Sequence, residues 1–129
     1  MTNIDSKQVI NPKSPKELFD ILAEPSNFQK LMPDSVEKFE ADAGSFIFGL
    51  RGMPEVRLVM DEKVPGESVK LVSASSKLTF SLTAKIQAQD TGSAVSYHFE
   101  GNLNPMLKMM ATKPLTNFLE ELADRTPEL

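Results

Sequence analysis

The chain of 129 residues has no cysteine, no tryptophan and only one histidine. Without cysteine, thiol catalysis, disulfide bonds and thiolate metal sites are excluded. One histidine cannot build a metal site from several imidazoles. We therefore expect no metal ion in this protein.

The chain also has no excess of basic residues over acidic ones. The formal net charge is −4, and residues 120–129 alone carry four carboxylates and one arginine. A nucleic-acid binder needs a cationic face for the phosphates, so we expect no nucleic-acid partner. The acidic run itself has two interpretations: a solvated helix end, or a surface that meets a basic protein partner.

Targeting signals, membrane spans and cofactor motifs are missing too. Residues 1–7 are polar, unlike a signal peptide, and no apolar run approaches the roughly 20 residues that cross a bilayer. We find no phosphate-binding loop, dinucleotide fingerprint, zinc-protease motif or nucleophile elbow. These absences predict a cytoplasmic protein with no membrane span and no cofactor, and they assign no catalytic residue. The length predicts one domain over 1–129.

The clearest helix start lies at Ser14, which is followed by Pro15 and Glu17. Serine with glutamate three residues later forms a capping box, and proline is well tolerated at the first helical position. Pro25 predicts the end of this helix near residue 24. A second short helix is predicted over 26–32, with Phe28, Leu31 and Met32 on its buried side.

From residue 36 to 101 the hydrophobic period changes from that of a helix to that of a strand. Apolar and polar residues alternate from Leu78 to Gln89 and again from Val95 to Glu100, which is typical of strands buried on one face. Further strands are predicted near 5–10, 36–41, 45–50, 55–61 and 68–74.

Turn signals separate these strands. Pro65-Gly66 predicts a type II turn over 64–67, because glycine supplies the positive φ angle. Gly92 predicts a three-residue hairpin loop that begins at Asp90. Short strands joined by short turns favour an antiparallel meander.

A helix ends the chain. Asn104 can cap it, and Pro105 occupies its first position. Its apolar side is predicted to hold Leu107, Met110, Leu115, Phe118, Leu119 and Leu122. Pro114 predicts a kink or a break, after which Thr112 could cap a restarted helix.

The element order and the segment 14–33, which reads SPKELF and then NFQKLMP, resemble the START-domain and pollen-allergen helix-grip superfamily, called SRPBCC. The resemblance to its small bacterial members covers nearly the whole chain. It implies an α+β fold with a curved antiparallel sheet of about six to seven strands. The sheet would wrap around a long C-terminal helix, with two short helices after the first strand.

The resemblance also implies a function. In this superfamily, the space between sheet and helix usually binds lipids, sterols, quinones, polyketides or similar apolar molecules. The residues predicted to line such a cavity are Phe48, Leu58, Met60, Leu71, Phe80, Leu82, Tyr97, Phe99, Met106, Met110 and Phe118. We therefore expect a small binding or carrier domain for an apolar molecule. Two alternatives remain: a cyclase- or dehydratase-type enzyme, and a protein-interaction module with a filled cavity.

Polar residues on the predicted sheet bear on these alternatives. Tyr97 shares the face of Val95 and Phe99, so its hydroxyl needs a partner: a backbone carbonyl, a water or a ligand head group. Ser73 is a second candidate for an inward hydroxyl. Glu62 would continue an apolar face and could serve as an acid or base there, or reach water at the strand end.

The single histidine and the methionines also have two interpretations each. Alternation places His98 on the wet face, where it could pair loosely with Glu100 and is more typical of a surface residue than of a general base. Met106, Met109 and Met110 cluster at the start of the last helix. They can fill the core or form a deformable cavity wall.

Overall fold

A computed structural model describes residues 2–34, 36–50, 55–74 and 79–129. The chain forms an eight-stranded antiparallel sheet and one long helix that packs against it, as expected for a helix-grip fold. The strands are β1 (Thr2–Asp5), β2 (Val9–Asn11), β3 (Val36–Ala41), β4 (Ser45–Leu50), β5 (Val56–Val64), β6 (Ser68–Ser73), β7 (Phe80–Gln89) and β8 (Gly92–Gly101). The helices are α1 (Pro15–Leu22), α2 (Pro105–Arg125) and two 3₁₀ helices, Pro25–Leu31 and Thr126–Glu128.

The strands follow the order β1-β8-β7-β6-β5-β4-β3, and β2 pairs with the other half of β8. The meander of six strands from β3 to β8 confirms the prediction from hydrophobic alternation. β3 and β4 have the predicted bounds. The predicted start of the long strand at Leu78 lies outside the described residues.

Successive strands of the meander run in opposite directions, so β4, β6 and β8 all finish at the same end of the sheet. The helix α2 begins at that end, which we call the open end.

The first strand is divided in two, which brings the sheet to eight strands. Asp5 pairs with His98 and Val9 pairs with Val95, so three residues on one side face two on the other. At this interruption the Ser6 amide donates to the Tyr97 carbonyl at 2.8 Å, and the Tyr97 amide donates to Ser6 Oγ at 2.9 Å.

The turn predicted at Gly66 is confirmed, but the hairpin loop predicted at Gly92 is one residue too long. Gly66 has a φ of +74°, and the Glu67 amide donates to the Val64 carbonyl at 2.9 Å, which confirms the type II turn. Gly92 pairs with Gln89 inside the ladder, so the hairpin loop has two residues and not three. Its φ of +144° serves a close approach to another part of the chain.

The long helix α2 is not broken at Pro114, contrary to one part of the sequence prediction. The carbonyl that loses its partner belongs to Met110, an exposed residue, so the missing bond costs less there than in the core. Thr112 does not cap a new helix; its hydroxyl donates to the Lys108 carbonyl at 2.5 Å.

The core lies between the inner face of the sheet and α2, with α1 and the first 3₁₀ helix at its side. Aromatic rings bridge the layers: Phe28 stacks on Phe46 and Phe48 stacks on Phe118, each with centroids 5.2 Å apart. In the described ranges, we find no helix with the length and apolar character needed to cross a membrane.

Candidate functional site

Most of the residues predicted to line a cavity lie together between the sheet and α2. Eight of them are buried there: Phe48, Leu58, Leu71, Phe80, Leu82, Tyr97, Phe99 and Phe118. Met60 is half-buried and packs against this group. The other two, Met106 and Met110, are 73% and 60% exposed and are not brought together with the rest.

The exposed methionines form a patch on the first two turns of α2. Met106, Met109 and Met110 have the spacing of one helix face, since each residue turns the helix by about 100°. That face is centred opposite the buried Ala111, Leu115 and Phe118. The three side chains, called the methionine patch below, therefore turn away from the sheet.

Packing between α2 and the sheet loosens toward the open end. On the inner side of α2, Leu122 (0%), Phe118 (2%), Leu115 (7%) and Ala111 (0%) are all buried, whereas Leu107 in the first turn is half-buried. Leu103, which precedes the helix, and Val56 at the start of β5 are also half-buried. The interface is thus closed from Ala111 to Leu122 and looser only around the first turn of α2.

Tyr97 lies beside the last turn of α2, where the interface between the helix and the sheet is closed. Its hydroxyl lies 2.7 Å from Thr126 Oγ1, and that oxygen donates its own proton to the Leu122 carbonyl at 2.7 Å. Tyr97 is therefore the donor of the pair. Burial raises the pKa of Tyr97, so the phenol stays neutral. Its hydroxyl has a protein partner and does not need a ligand to satisfy it.

A buried polar cluster surrounds this pair and fastens the end of α2. Asn11 Nδ2 donates to the Thr126 carbonyl at 2.7 Å, and Asn11 Oδ1 accepts from the Lys13 amide at 2.8 Å. Ser93 Oγ donates to the Lys13 carbonyl at 2.8 Å. The sequence reasoning missed this cluster. Its one local signal was Asn11 before Pro12, a pair typical of a turn start.

Glu62 does not lie on the inner face, contrary to the prediction. Met60 pairs with Leu71 and Glu62 pairs with Lys70, so Asp61 is an extra residue in β5. Because such a bulge reverses the alternation, Glu62 is exposed on the outer face. Ser73 keeps its predicted place: it is half-buried and pairs with the buried Leu58.

His98 lies on the outer face, as alternation predicts. Its partner is Asp5 on β1 and not Glu100: His98 Nδ1 and Asp5 Oδ1 are 2.5 Å apart. This contact ties the first strand to β8. The histidine therefore has a structural contact on the side of the sheet remote from α2.

Part of the acidic run at the end of α2 is used within the chain. Glu120 Oε1 accepts from the Lys7 amide at 3.0 Å, and Asp124 forms an ion pair with the Lys7 side chain. These contacts join α2 to the segment between β1 and β2. Lys7 and Asp124 remain about half exposed, at 51% and 55%, so these contacts favour the interpretation of this run as a solvated helix end.

An open groove of about 210 Å³ lies elsewhere, mainly on the outer face. Lys70, Val72, Ser81 and Glu100 line it from strands β6 to β8. Of the residues predicted to line the ligand cavity, only Phe80 borders this groove. It is therefore a different feature from the interface between the sheet and α2.

Comparison with known proteins shows which fold the chain has. No family model and no curated protein matches the chain. Among solved structures, a START superfamily protein from Mycobacterium smegmatis matches with a TM-score of 0.66 and 12% identity, over 98% of this chain and 94% of that one. XoxI from Bacillus cereus matches with a TM-score of 0.75 and 7% identity, over 99% and 94% of the two chains. The Aha1 dimer from Colwellia psychrerythraea matches with a TM-score of 0.60 and 15% identity, over 93% and 97%.

These likenesses confirm the resemblance stated from the sequence at the level of the fold. The chain has the helix-grip fold of START superfamily proteins. At such low identities the likeness shows the fold alone, because one fold carries many functions.

Proposed function

We propose that the chain is a cytoplasmic binding or carrier domain for an apolar small molecule of the lipid, sterol, quinone or polyketide class. The ligand lies between the inner face of the sheet and α2. The observation that carries this proposal is the uneven packing of α2, which is closed around Leu119 and Leu122 and looser around Leu107.

The chemistry of the interface suits such a ligand. Its predicted lining consists of aromatic and aliphatic side chains, and the hydroxyl of Tyr97 is already bonded to Thr126. Moving apolar surface from water into this environment contributes about 25 cal/mol per Å². The driving force is therefore burial of the ligand's apolar surface, and polar groups of the ligand stay near the open end.

The proposed route by which the ligand enters follows from the contacts that hold α2 against the rest of the fold. Its last turn is fastened by hydrogen bonds from Asn11 and Tyr97, whereas its first turn touches the core through the half-buried Leu107. Pro114 stands between these two turns and lacks the amide that would tie it to the Met110 carbonyl. A small outward movement of the first turns would open the interface while the fastened end stays in place.

A titration with a dansyl-labelled fatty acid tests this proposal. In Leu107→Trp, a larger side chain on the inner side of the first turns fills the entrance, so we expect the dissociation constant to rise about tenfold or more. Met109→Trp is the matched control, because Met109 is 84% exposed on the other side of the same helix. Its affinity should stay within about twofold of the unmodified protein.

Two results would count against the proposal. One is a dansyl probe that does not bind the unmodified protein; the other is equal weakening by both tryptophan variants. Circular dichroism of each variant checks that a weakened affinity does not come from a disturbed fold.

The enzyme alternative needs an ionisable group inside the cavity, and neither of its two candidates, Tyr97 and Glu62, provides one. Glu62 is exposed on the outer face, and the neutral Tyr97 phenol is bonded to Thr126. We therefore propose no reaction for this protein.

A further inference from the structure

The methionine patch stands out among the surface side chains. Of the large apolar residues in the described ranges, four are exposed: Met106 (73%), Met109 (84%), Met110 (60%) and Ile10 (51%). Three of the four thus lie within five consecutive residues on one helix face. Because apolar side chains scattered singly are normal on a surface, it is this clustering that calls for a partner.

The charged side chains in the first half of α2 are of one sign. Residues 105–119 contain Lys108 and Lys113 and no carboxylate, although the whole chain has a net charge of −4. The carboxylates of α2 follow at Glu120, Glu121 and Asp124, at the opposite end of the helix. At about 100° per residue, Lys113 falls on the face of the methionine patch, whereas Lys108 falls on the opposite side of the helix. The patch therefore combines apolar thioethers with one cation and is set apart from the acidic part of α2.

The direction of α2 adds to this positive character. The N-terminus of a helix carries a partial positive charge, and α2 begins at Pro105, next to the patch. The Asn104 side chain accepts from the Leu107 amide at 2.8 Å and leaves no negative charge there. A partner that is apolar inside and anionic at its surface complements all of these features.

We propose that the methionine patch docks on the surface of an anionic lipid bilayer. Flexible methionine side chains enter the boundary between head groups and acyl chains, and Lys113 lies among the lipid phosphates. A second copy of this chain fits less well. A twofold contact through the patch would bring Lys113 of each copy toward the other.

This docking goes beyond ligand binding and does not depend on it. Three methionines and one lysine are a small anchor, so we expect weak, reversible binding rather than permanent attachment. It would hold the open end of the helix-grip interface next to the lipid phase. Attraction between lysine and lipid phosphate falls with ionic strength, so the binding should weaken as salt is added.

Co-sedimentation with lipid vesicles tests the proposal. We expect the protein to bind vesicles of phosphatidylcholine and phosphatidylserine and to bind pure phosphatidylcholine vesicles at least about tenfold more weakly. The triple variant Met106→Ser, Met109→Ser, Met110→Ser should reduce binding to the anionic vesicles about tenfold or more. Since all three side chains are exposed, this variant should fold normally. Lys113→Glu should also weaken binding to the anionic vesicles about tenfold.

Ile10→Ser is the matched control, because Ile10 is 51% exposed on β2 and lies outside α2. It should bind anionic vesicles like the unmodified protein. The proposal is overturned if the unmodified protein does not bind the anionic vesicles, or if the triple variant binds them equally well. It is also overturned if the triple substitution leaves vesicle binding intact but abolishes a dimer seen by analytical ultracentrifugation. The dansyl titration contains no vesicles, so a failure of docking and a failure of ligand binding are distinguishable.

Discussion

Replacing Gly92 with alanine is expected to lower the free energy of unfolding by about 3 kcal/mol or more. A Cβ atom at this position would lie 2.2 Å from the Asn11 carbonyl oxygen and 2.9 Å from Pro12 Cα. Both are backbone atoms, so no side-chain rotation relieves the clash. The φ of +144° is also unfavourable for a residue with a side chain. β2 would have to move away from β8.

Two other glycines provide controls for this change. An added Cβ at Gly44 meets nothing within 4 Å, so Gly44→Ala should change the stability by less than about 1 kcal/mol. Gly66 has a φ of +74°, but an added Cβ meets only Pro15 Cβ at 4.0 Å, so Gly66→Ala should cost about 1 kcal/mol. Urea denaturation measures all three. Equal stability of Gly92→Ala and Gly44→Ala would contradict the close contact between Gly92 and the backbone of Asn11 and Pro12.

The Gly92 contact matters for the proposed site because it brings Asn11 into place. Asn11 is fully buried and bonds to the Thr126 carbonyl after the last turn of α2. A glycine in the hairpin thus helps to fasten one end of the helix against which the ligand is proposed to bind. Gly92→Ala should therefore loosen that end of α2 as well as β2.

Replacing Phe118 with alanine is expected to cost about 3–5 kcal/mol of stability. Phe118 is 2% exposed, and its ring stacks on Phe48 at a centroid distance of 5.2 Å and an interplanar angle of 13°. The substitution removes apolar contact area and leaves a void between α2 and the sheet. If the domain stays folded, the void should let the dansyl-labelled fatty acid bind at least as tightly as before.

Asn117→Ala is the neighbouring control, because Asn117 is exposed on the same turn of α2. It should change the stability by no more than about 0.5 kcal/mol. Thermal denaturation of both variants gives the comparison. A loss below about 1 kcal/mol for Phe118→Ala would contradict a tightly packed centre of α2.

Local signals explain which parts of the fold the sequence could predict. Ser14 accepts from the Glu17 amide at 3.3 Å, as the capping pattern predicts, and Pro65-Gly66 forms its turn. Strict alternation placed the strands from β3 onward and His98 on the outer face. Each of these features depends on a few neighbouring residues, so the pattern along the chain carries the information.

Non-local contacts explain what the sequence could not predict. The bulge at Asp61 turns Glu62 outward, and alternation alone gives no sign of one extra residue. Thr126 meets Tyr97 across 29 positions, a pairing that appears only once α2 lies on the sheet. Met110 was placed with the apolar side of the last helix by its residue type, but it is exposed beside Met106 and Met109.

Native mass spectrometry of the purified protein, compared with its denatured mass, tests the central claim most directly. A carrier of an apolar molecule should show an added mass of a few hundred daltons that disappears on denaturation. After delipidation, mixing with the dansyl-labelled fatty acid should produce a one-to-one complex. A bare mass before and after that mixing would contradict the claim that the space between the sheet and α2 binds an apolar ligand.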